Sequence, residues 1–207
     1  MDLQAFALSL KIAGLSTLAL AILGLPLAYW LALAKPRGGA LLEALFSLPL
    51  VLPPTVLGFY LLLVLGPAGL AFTFTGLLIA SVISGMPFAL QSFLAAFRGV
   101  NQAYLENSYT LGEGPVATFW RVALPLGKEG LFTGLILSFA HALGEFGVVL
   151  MIGGNIPGVS RTLSLSLYDQ VVAFDYAAAN RTAGLLLGIS VAALVAVSVL
   201  RAKGRAS

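Results

Sequence analysis

The stretch that decides the fold is residues 44–97, which read ALFSLPLVLPPTVLGFYLLLVLGPAGLAFTFTGLLIASVISGMPFALQSFLAAF without one charged side chain. This run is long enough for two membrane-spanning helices, because about 20 apolar residues cross the hydrocarbon core of a bilayer. Glycine and proline end helices, so Gly66-Pro67-Ala68-Gly69 predicts a break between the two. We therefore expect spans near residues 43–66 and 71–97.

Further apolar segments lie on both sides of this run. Residues 12–34 carry no charge, which predicts a span near 10–34. A cleaved signal peptide is the alternative, since Ala32-Leu33-Ala34 resembles a cleavage site, but the apolar core of a signal peptide is only about 7–15 residues long. Two more spans are predicted near 130–153 and 182–200.

The composition agrees with a membrane protein. The chain is 59% hydrophobic and 9% charged, whereas soluble proteins carry about 25% charged residues. The sequence therefore predicts an all-α integral membrane protein, with residues 1–207 forming a single domain of about five transmembrane helices.

Lysine and arginine are distributed unevenly between the polar segments. Because cytoplasmic loops are enriched in these residues, the distribution predicts an external N-terminus and a cytoplasmic C-terminus. Residues 98–128 then form a cytoplasmic loop and residues 154–181 an external one. The inner side would hold Lys35, Arg37, Arg98, Arg121, Lys128, Arg201, Lys203 and Arg205, and the outer side Lys11, Arg161 and Arg181.

Several kinds of chemistry are excluded by composition. The chain has no cysteine and one histidine, so we expect no metal site and no cofactor. It has no Gly-x-x-x-x-Gly-Lys-Ser/Thr motif and cannot cradle ATP phosphates itself. It has no large basic block, so nucleic acid is not an expected partner.

Prolines and two ionisable residues mark the interior of the predicted bundle. Prolines at 49, 53 and 54 leave backbone carbonyls unpaired, so this stretch should face protein or a pathway, or form a simple kink. His141 and Glu145 are four residues apart and should share one helix face. A carboxylate would repel an anion, so Glu145 is expected to pair with Arg161 or Arg181. His141 could donate to an anion or to a neighbouring carbonyl.

The cytoplasmic segment has the pattern of a docking element. Gly112-Glu113-Gly114-Pro115 predicts a turn and a helix start, and the following short helix carries Phe119 and Trp120. Leu124-Pro125 is expected to end that helix. Such an aromatic helix suits a groove in a partner or the lipid interface.

This segment resembles the "EAA loop" of permease subunits in binding-protein-dependent ABC importers. Glu106, Gly112 and Leu124-Pro125 stand at the family spacing, although Asn107-Ser108 replaces two alanines. The resemblance implies a type I importer permease whose coupling helix fits a cleft in an ATPase subunit. It thus implies that these residues couple the permease to the ATPase: Glu106, Gly112, Glu113, Gly114, Pro115, Phe119, Trp120, Leu124 and Pro125.

Three further motifs are similar to the molybdate permeases. They begin at Leu48, Leu143 and Asn155 and read LPLVLPPTVLG, LGEFG and NIPG. The resemblance implies import of molybdate, and of tungstate as well, by a homodimer with two cytoplasmic ATPase subunits and an external molybdate-binding protein. Sulfate or thiosulfate is the alternative cargo. The residues expected at a pathway or gate are Pro53, Pro54, His141, Glu145 and Asn155.

Two other classes fit less well. A membrane enzyme would need a nucleophile beside the His141–Glu145 pair, and none is evident. A proton-coupled transporter would need titratable relays and internal repeats, and the sequence has no repeat that we detect.

Overall fold

The structure is a computed structural model that describes residues 2–204, with the backbone alone for residues 201, 203 and 204. Residues 2–204 contain helices and no strand, which confirms the all-α fold. The helices are α1 (Leu3–Ala34), α2 (Gly39–Val51), α3 (Pro54–Leu65), α4 (Phe74–Arg98), α5 (Gln102–Thr110), α6 (Pro115–Thr118), a π turn (Phe119–Ala123), α7 (Leu124–Gly144), α8 (Gly147–Gly153), α9 (Leu163–Val172) and α10 (Tyr176–Gly204).

Four helical stretches within residues 2–204 are long and apolar enough to cross a membrane, and a bent pair makes a fifth. The four stretches are Leu3–Ala34, Phe74–Arg98, Pro115–Gly144 and Tyr176–Leu200, and the bent pair is α2 with α3. This agrees with the expected number of about five spans.

The predicted span 43–66 is two helices that meet at an angle of 112°. The break falls at Leu52 and Pro53, both of which have extended backbones. A residue before proline avoids the helical conformation, and Pro53 and Pro54 have no N–H to continue the ladder. Pro49, by contrast, lies inside α2.

The predicted span 130–153 is also broken. Helix α7 ends at Gly144, and Glu145 has an extended backbone with φ −62° and ψ 127°. The predicted external loop 154–181 is not a simple loop, because it contains α9 and the start of α10. The first turn of α9 is buried in the bundle, with Leu163 and Leu165 fully covered.

The core lies where α1, α4 and α7 pack together. Phe93 and Phe97 of α4 are its largest fully buried side chains. Helices α4 and α7 approach closely at Gly134, where an added Cβ would lie 2.8 Å from Phe93 Cε1. A small residue is therefore required at this crossing.

Long-range contacts distinguish the two ends of the bundle. At one end Arg98 pairs with Glu43, and the Tyr29 hydroxyl donates to the Pro115 carbonyl at 3.3 Å. At the other end the Leu163 N–H donates to Ser9 Oγ at 2.7 Å. The charge count predicts that the first end is cytoplasmic. Arg205, which that count includes, lies outside the described residues.

Candidate functional site

The α5–α6 segment, residues 101–123, is a compact unit at the Arg98 end of the bundle. The Asn101 side chain accepts from the Ala103 N–H at 3.0 Å and starts α5. The buried hydroxyls of Ser108 and Thr118 lie 2.9 Å apart and join α5 to α6. The segment is therefore held in shape by its own contacts.

The turn between α5 and α6 requires a glycine at one position. Gly112 has φ +85°, a conformation that residues with a Cβ rarely adopt. The N–H of Glu113 closes the turn by donating to the Ser108 carbonyl at 3.1 Å. Gly114 precedes α6 and Pro115 is its first residue, as predicted. The Glu113 carboxylate pairs with Arg121, so the two charges satisfy each other inside the segment.

The prediction that Leu124-Pro125 ends the short helix is wrong. The helix continues from Pro115 to Gly144 and widens into the π turn over Phe119–Ala123. The Leu124 N–H donates to the Phe119 carbonyl, five residues back. A proline in a helix removes one N–H and clashes with the carbonyl four residues earlier. The π turn just before Pro125 accommodates both effects.

The two candidate aromatic anchors have opposite environments. Trp120 is 62% exposed, whereas Phe119 is 9% exposed. The Phe119 ring packs edge-on against Tyr29, with centroids 4.9 Å apart. Phe119 is therefore part of the core of this chain, and of the two candidate anchors Trp120 is the exposed one. Trp120 and the nearby Val116 present the exposed apolar surface.

Glu106 is exposed on α5. It borders a cavity of about 330 Å³ between α5 and the end of α1, beside Tyr29, Trp30 and Tyr109. The cavity combines one carboxylate with three aromatic rings at the end of the bundle where the segment lies.

A second cavity, of about 200 Å³, lies where the two broken spans meet, and we call it the central cavity. Proline-bent α2 and α3 form one wall, and α4, α7 and α8 form the other. It is lined by Pro49, Leu50, Leu52, Pro54, Leu57, Ser84, Phe88, His141, Glu145 and Val148. Of the pathway candidates, Pro54, His141 and Glu145 line it, whereas Pro53 and Asn155 do not.

Glu145 holds the break between α7 and α8. Its Oε1 accepts from the Val148 N–H at 3.1 Å, which satisfies an open donor at the start of α8. Its carbonyl accepts from Ser164 Oγ at 2.6 Å, which ties α9 to the same point. Only 6% of Glu145 is exposed.

The prediction that Glu145 pairs with an arginine is wrong. Its second oxygen, Oε2, lies 3.1 Å from His141 Nε2. In this arrangement His141 Nε2 makes no hydrogen bond of good geometry, although it lies beside the carboxylate. The His141 ring also stacks on Phe88, with centroids 4.2 Å apart and planes at 25°.

Arg161 is occupied elsewhere, which is why it does not reach Glu145. Its guanidinium contacts Asp169 Oδ2 at 3.4 Å and donates to Asn155 Oδ1 at 3.2 Å. Asn155 Nδ2 in turn donates to Asp169 at 2.8 Å. Asn155, placed by its motif at a pathway or gate, therefore supports the turn between α8 and α9. Arg181 is exposed.

Sequence reasoning missed three residues of this site. Ser84 and Phe88 complete the central cavity, and Ser164 holds Glu145. Serine and phenylalanine are common inside membrane bundles, so nothing in the sequence distinguishes these three from their neighbours.

Comparison with known proteins relates this architecture to a family. The family described as binding-protein-dependent transport system inner membrane component matches residues 24–203. The molybdenum transport system permease protein ModB of Azotobacter vinelandii is 45% identical over 95% of this chain and 92% of its own length.

The chain belongs to the family of binding-protein-dependent transport system inner membrane components.

Two further comparisons define its place among these inner membrane components. The probable sulfate transport system permease protein cysT of Marchantia polymorpha is 30% identical over 96% of this chain and 73% of its own length. A chain in an inward-facing structure of the MetNI methionine ABC transporter superposes with a TM-score of 0.79 at 17% identity, covering 98% of this chain and 95% of that one. The latter shows a shared fold, that of a type I importer permease.

Proposed function

We propose that this chain is the permease subunit of an ATP-driven importer that carries molybdate, and tungstate as a close analogue, across the cytoplasmic membrane. The observation that carries the proposal is the 45% identity, over nearly the full length of both chains, to a permease named for molybdenum transport. The match to a permease named for sulfate transport is weaker, at 30% identity. Sulfate or thiosulfate is therefore the second candidate cargo.

The partners follow from the family. Two copies of this chain form a pathway about a two-fold axis, since about five spans are few for an enclosed path. Two ATPase subunits supply hydrolysis, because the chain has no phosphate-binding loop. An external molybdate-binding protein delivers the anion.

The α5–α6 segment is the coupling element in this proposal. It lies at the end of the bundle that the charge distribution assigns to the cytoplasm, with the N-terminus of α1 at the external end. Its turn at Gly112 and its exposed Trp120 and Val116 suit a groove in the ATPase, because exposed tryptophan is a frequent interface anchor. Glu106 borders the adjacent cavity and completes the contact surface.

The continuous helix from Pro115 to Gly144 gives the coupling a mechanical route. It begins in the docking segment and ends at Glu145, about 45 Å away at 1.5 Å per residue. A displacement of α6 by the ATPase would move Glu145 at the far end of this helix. Glu145 holds α8, which packs against the proline bend between α2 and α3. Closure of the ATPases would thus alter the central cavity and open the pathway outward, and hydrolysis would reset it.

The experiment is uptake of labelled molybdate by cells that lack their own molybdate importer and express this chain with its ATPase and binding protein. We expect uptake that unlabelled tungstate competes strongly and sulfate only weakly. Uptake of labelled sulfate in preference to molybdate would establish the second candidate instead.

A further inference from the structure

His141 and Glu145 are the only titratable groups that line the central cavity in the described part of the chain. The remaining lining residues are proline, aliphatic or aromatic side chains and the hydroxyl of Ser84. Among residues 2–204, no lysine or arginine lines the cavity. An anion within it therefore meets one carboxylate and one imidazole.

The Glu145 carboxylate is held in place at one of its oxygens. Its Oε1 is fixed by the Val148 N–H, and the Glu145 backbone is fixed by Ser164. Glu145 is buried, and like charges repel more strongly at a buried group, because the effective dielectric constant there is lower than in water. A bare Glu145 carboxylate would thus oppose the passage of an oxyanion.

A positive charge on His141 would be well placed to offset that carboxylate. Nε2 lies 3.1 Å from Glu145 Oε2, and opposite charges at this distance attract strongly where water is scarce. The ring stacks on Phe88 at 4.2 Å, and an aromatic face attracts a cation. Arg161 is paired with Asp169 and Arg181 is exposed, so the His141 imidazole is the basic group beside the Glu145 carboxylate.

We propose that His141 is a charge-balancing residue that offsets the charge of Glu145, so that an oxyanion can pass the central cavity. This inference rests on the proposed function in two respects, that the cargo is an oxyanion and that its path runs through the central cavity. Glu145 then has a positioning role, because it holds α8 at the wall of the cavity. His141 supplies the compensating positive charge.

The test uses the complete complex of permease, ATPase and binding protein in proteoliposomes. Uptake of molybdate, tungstate and sulfate is measured together with ATP hydrolysis for the unsubstituted chain, His141→Gln, Glu145→Gln and the double variant. In Glu145→Gln the new amide oxygen can still accept from the Val148 N–H, so residue 145 keeps its hydrogen bond to the start of α8. Recovery of the ATPase with each permease reports whether the variant folds.

We expect His141→Gln to lower anion uptake per ATP hydrolysed by at least about tenfold, with ATPase recovery unchanged. The double variant should regain most of that loss, because it removes the uncompensated carboxylate. Unchanged uptake by His141→Gln, or a double variant no better than His141→Gln, would overturn the inference and leave the proposed function standing. If the unsubstituted complex carries none of the three oxyanions, the inference and the proposed function both fail.

Discussion

Gly147 packs against Pro54 so closely that a Cβ atom at position 147 would lie 2.7 Å from Pro54 Cβ. The same interface repeats one turn further on, where a Cβ at Gly58 would lie 2.7 Å from Met151 Cβ. Helices α8 and α3 are therefore packed nearly backbone to backbone, and a displacement of one is transmitted to the other.

Gly147→Ala should destabilise this contact. Overpacking of a tight interface costs about 1–3 kcal/mol, and neither the proline ring nor the adjacent backbone of Thr55 can yield easily. We expect a lower unfolding temperature of the purified chain in detergent and slower transport. Gly144→Ala is the matched control, since an added Cβ there meets nothing within 4 Å. Equal effects of the two substitutions would contradict the packing argument.

Gly112→Asp should weaken recovery of the ATPase with the permease and uncouple transport. Within this chain a Cβ at Gly112 meets nothing within 4 Å, so a side chain there projects into open space, where the proposed ATPase contact would lie. The control is Gly112→Asn, because Asn and Asp both tolerate positive φ better than other residues do and differ in charge. Co-purification should fall more for Asp than for Asn. Normal recovery and normal uptake with Gly112→Asp would mean that this turn is not part of the coupling contact.

Trp120→Ala and Phe119→Ala should separate binding from folding. Trp120 is exposed, so its loss should reduce ATPase recovery while the thermal stability of the permease stays the same. Phe119 is buried beside Tyr29, so its loss should cost about 3–5 kcal/mol of stability. The measurements are co-purification and thermal unfolding of each variant. A stable Phe119→Ala chain that fails to bind the ATPase would reverse these assignments.

Leu111→Cys and Val159→Cys should label from opposite sides of the membrane. The natural chain has no cysteine, and both positions are exposed, at opposite ends of the bundle. With the N-terminus outside, an impermeant thiol reagent should label Val159→Cys in intact cells and Leu111→Cys only after permeabilisation. The reverse pattern would overturn the orientation inferred from the lysine and arginine distribution.

The spans were predictable because, in a chain this poor in charge, a long apolar run has few alternatives to a membrane-spanning helix. The break at Leu52-Pro53 was also signalled, since prolines there remove N–H donors. The break at Glu145 was not, because LGEFG contains no proline and reads as a continuation of the helix. The proximity of His141 and Glu145 was nevertheless predicted, because four-residue spacing places them near each other up to the last turn of α7.

The charge partners could not be predicted from the sequence. Arg161 had two acidic residues within plausible reach, and its choice of Asp169 over Glu145 depends on the turn that Asn155 and Ser160 form between α8 and α9. The exposure of the aromatics was equally undetermined. Phe119 and Trp120 are adjacent, and only the packing of Tyr29 shows which of them faces the core.

The proposed function makes this chain a molybdate pathway driven by a separate ATPase. The most direct measurement is the initial rate of labelled molybdate uptake into proteoliposomes that contain this permease, its ATPase and its binding protein, with ATP supplied on the ATPase side. We predict that uptake requires ATP and all three components. An excess of unlabelled tungstate should lower the uptake sharply, and the same excess of sulfate should lower it little. Molybdate uptake that is independent of ATP, or that sulfate abolishes while tungstate does not, would contradict the proposed ATP-driven import of molybdate.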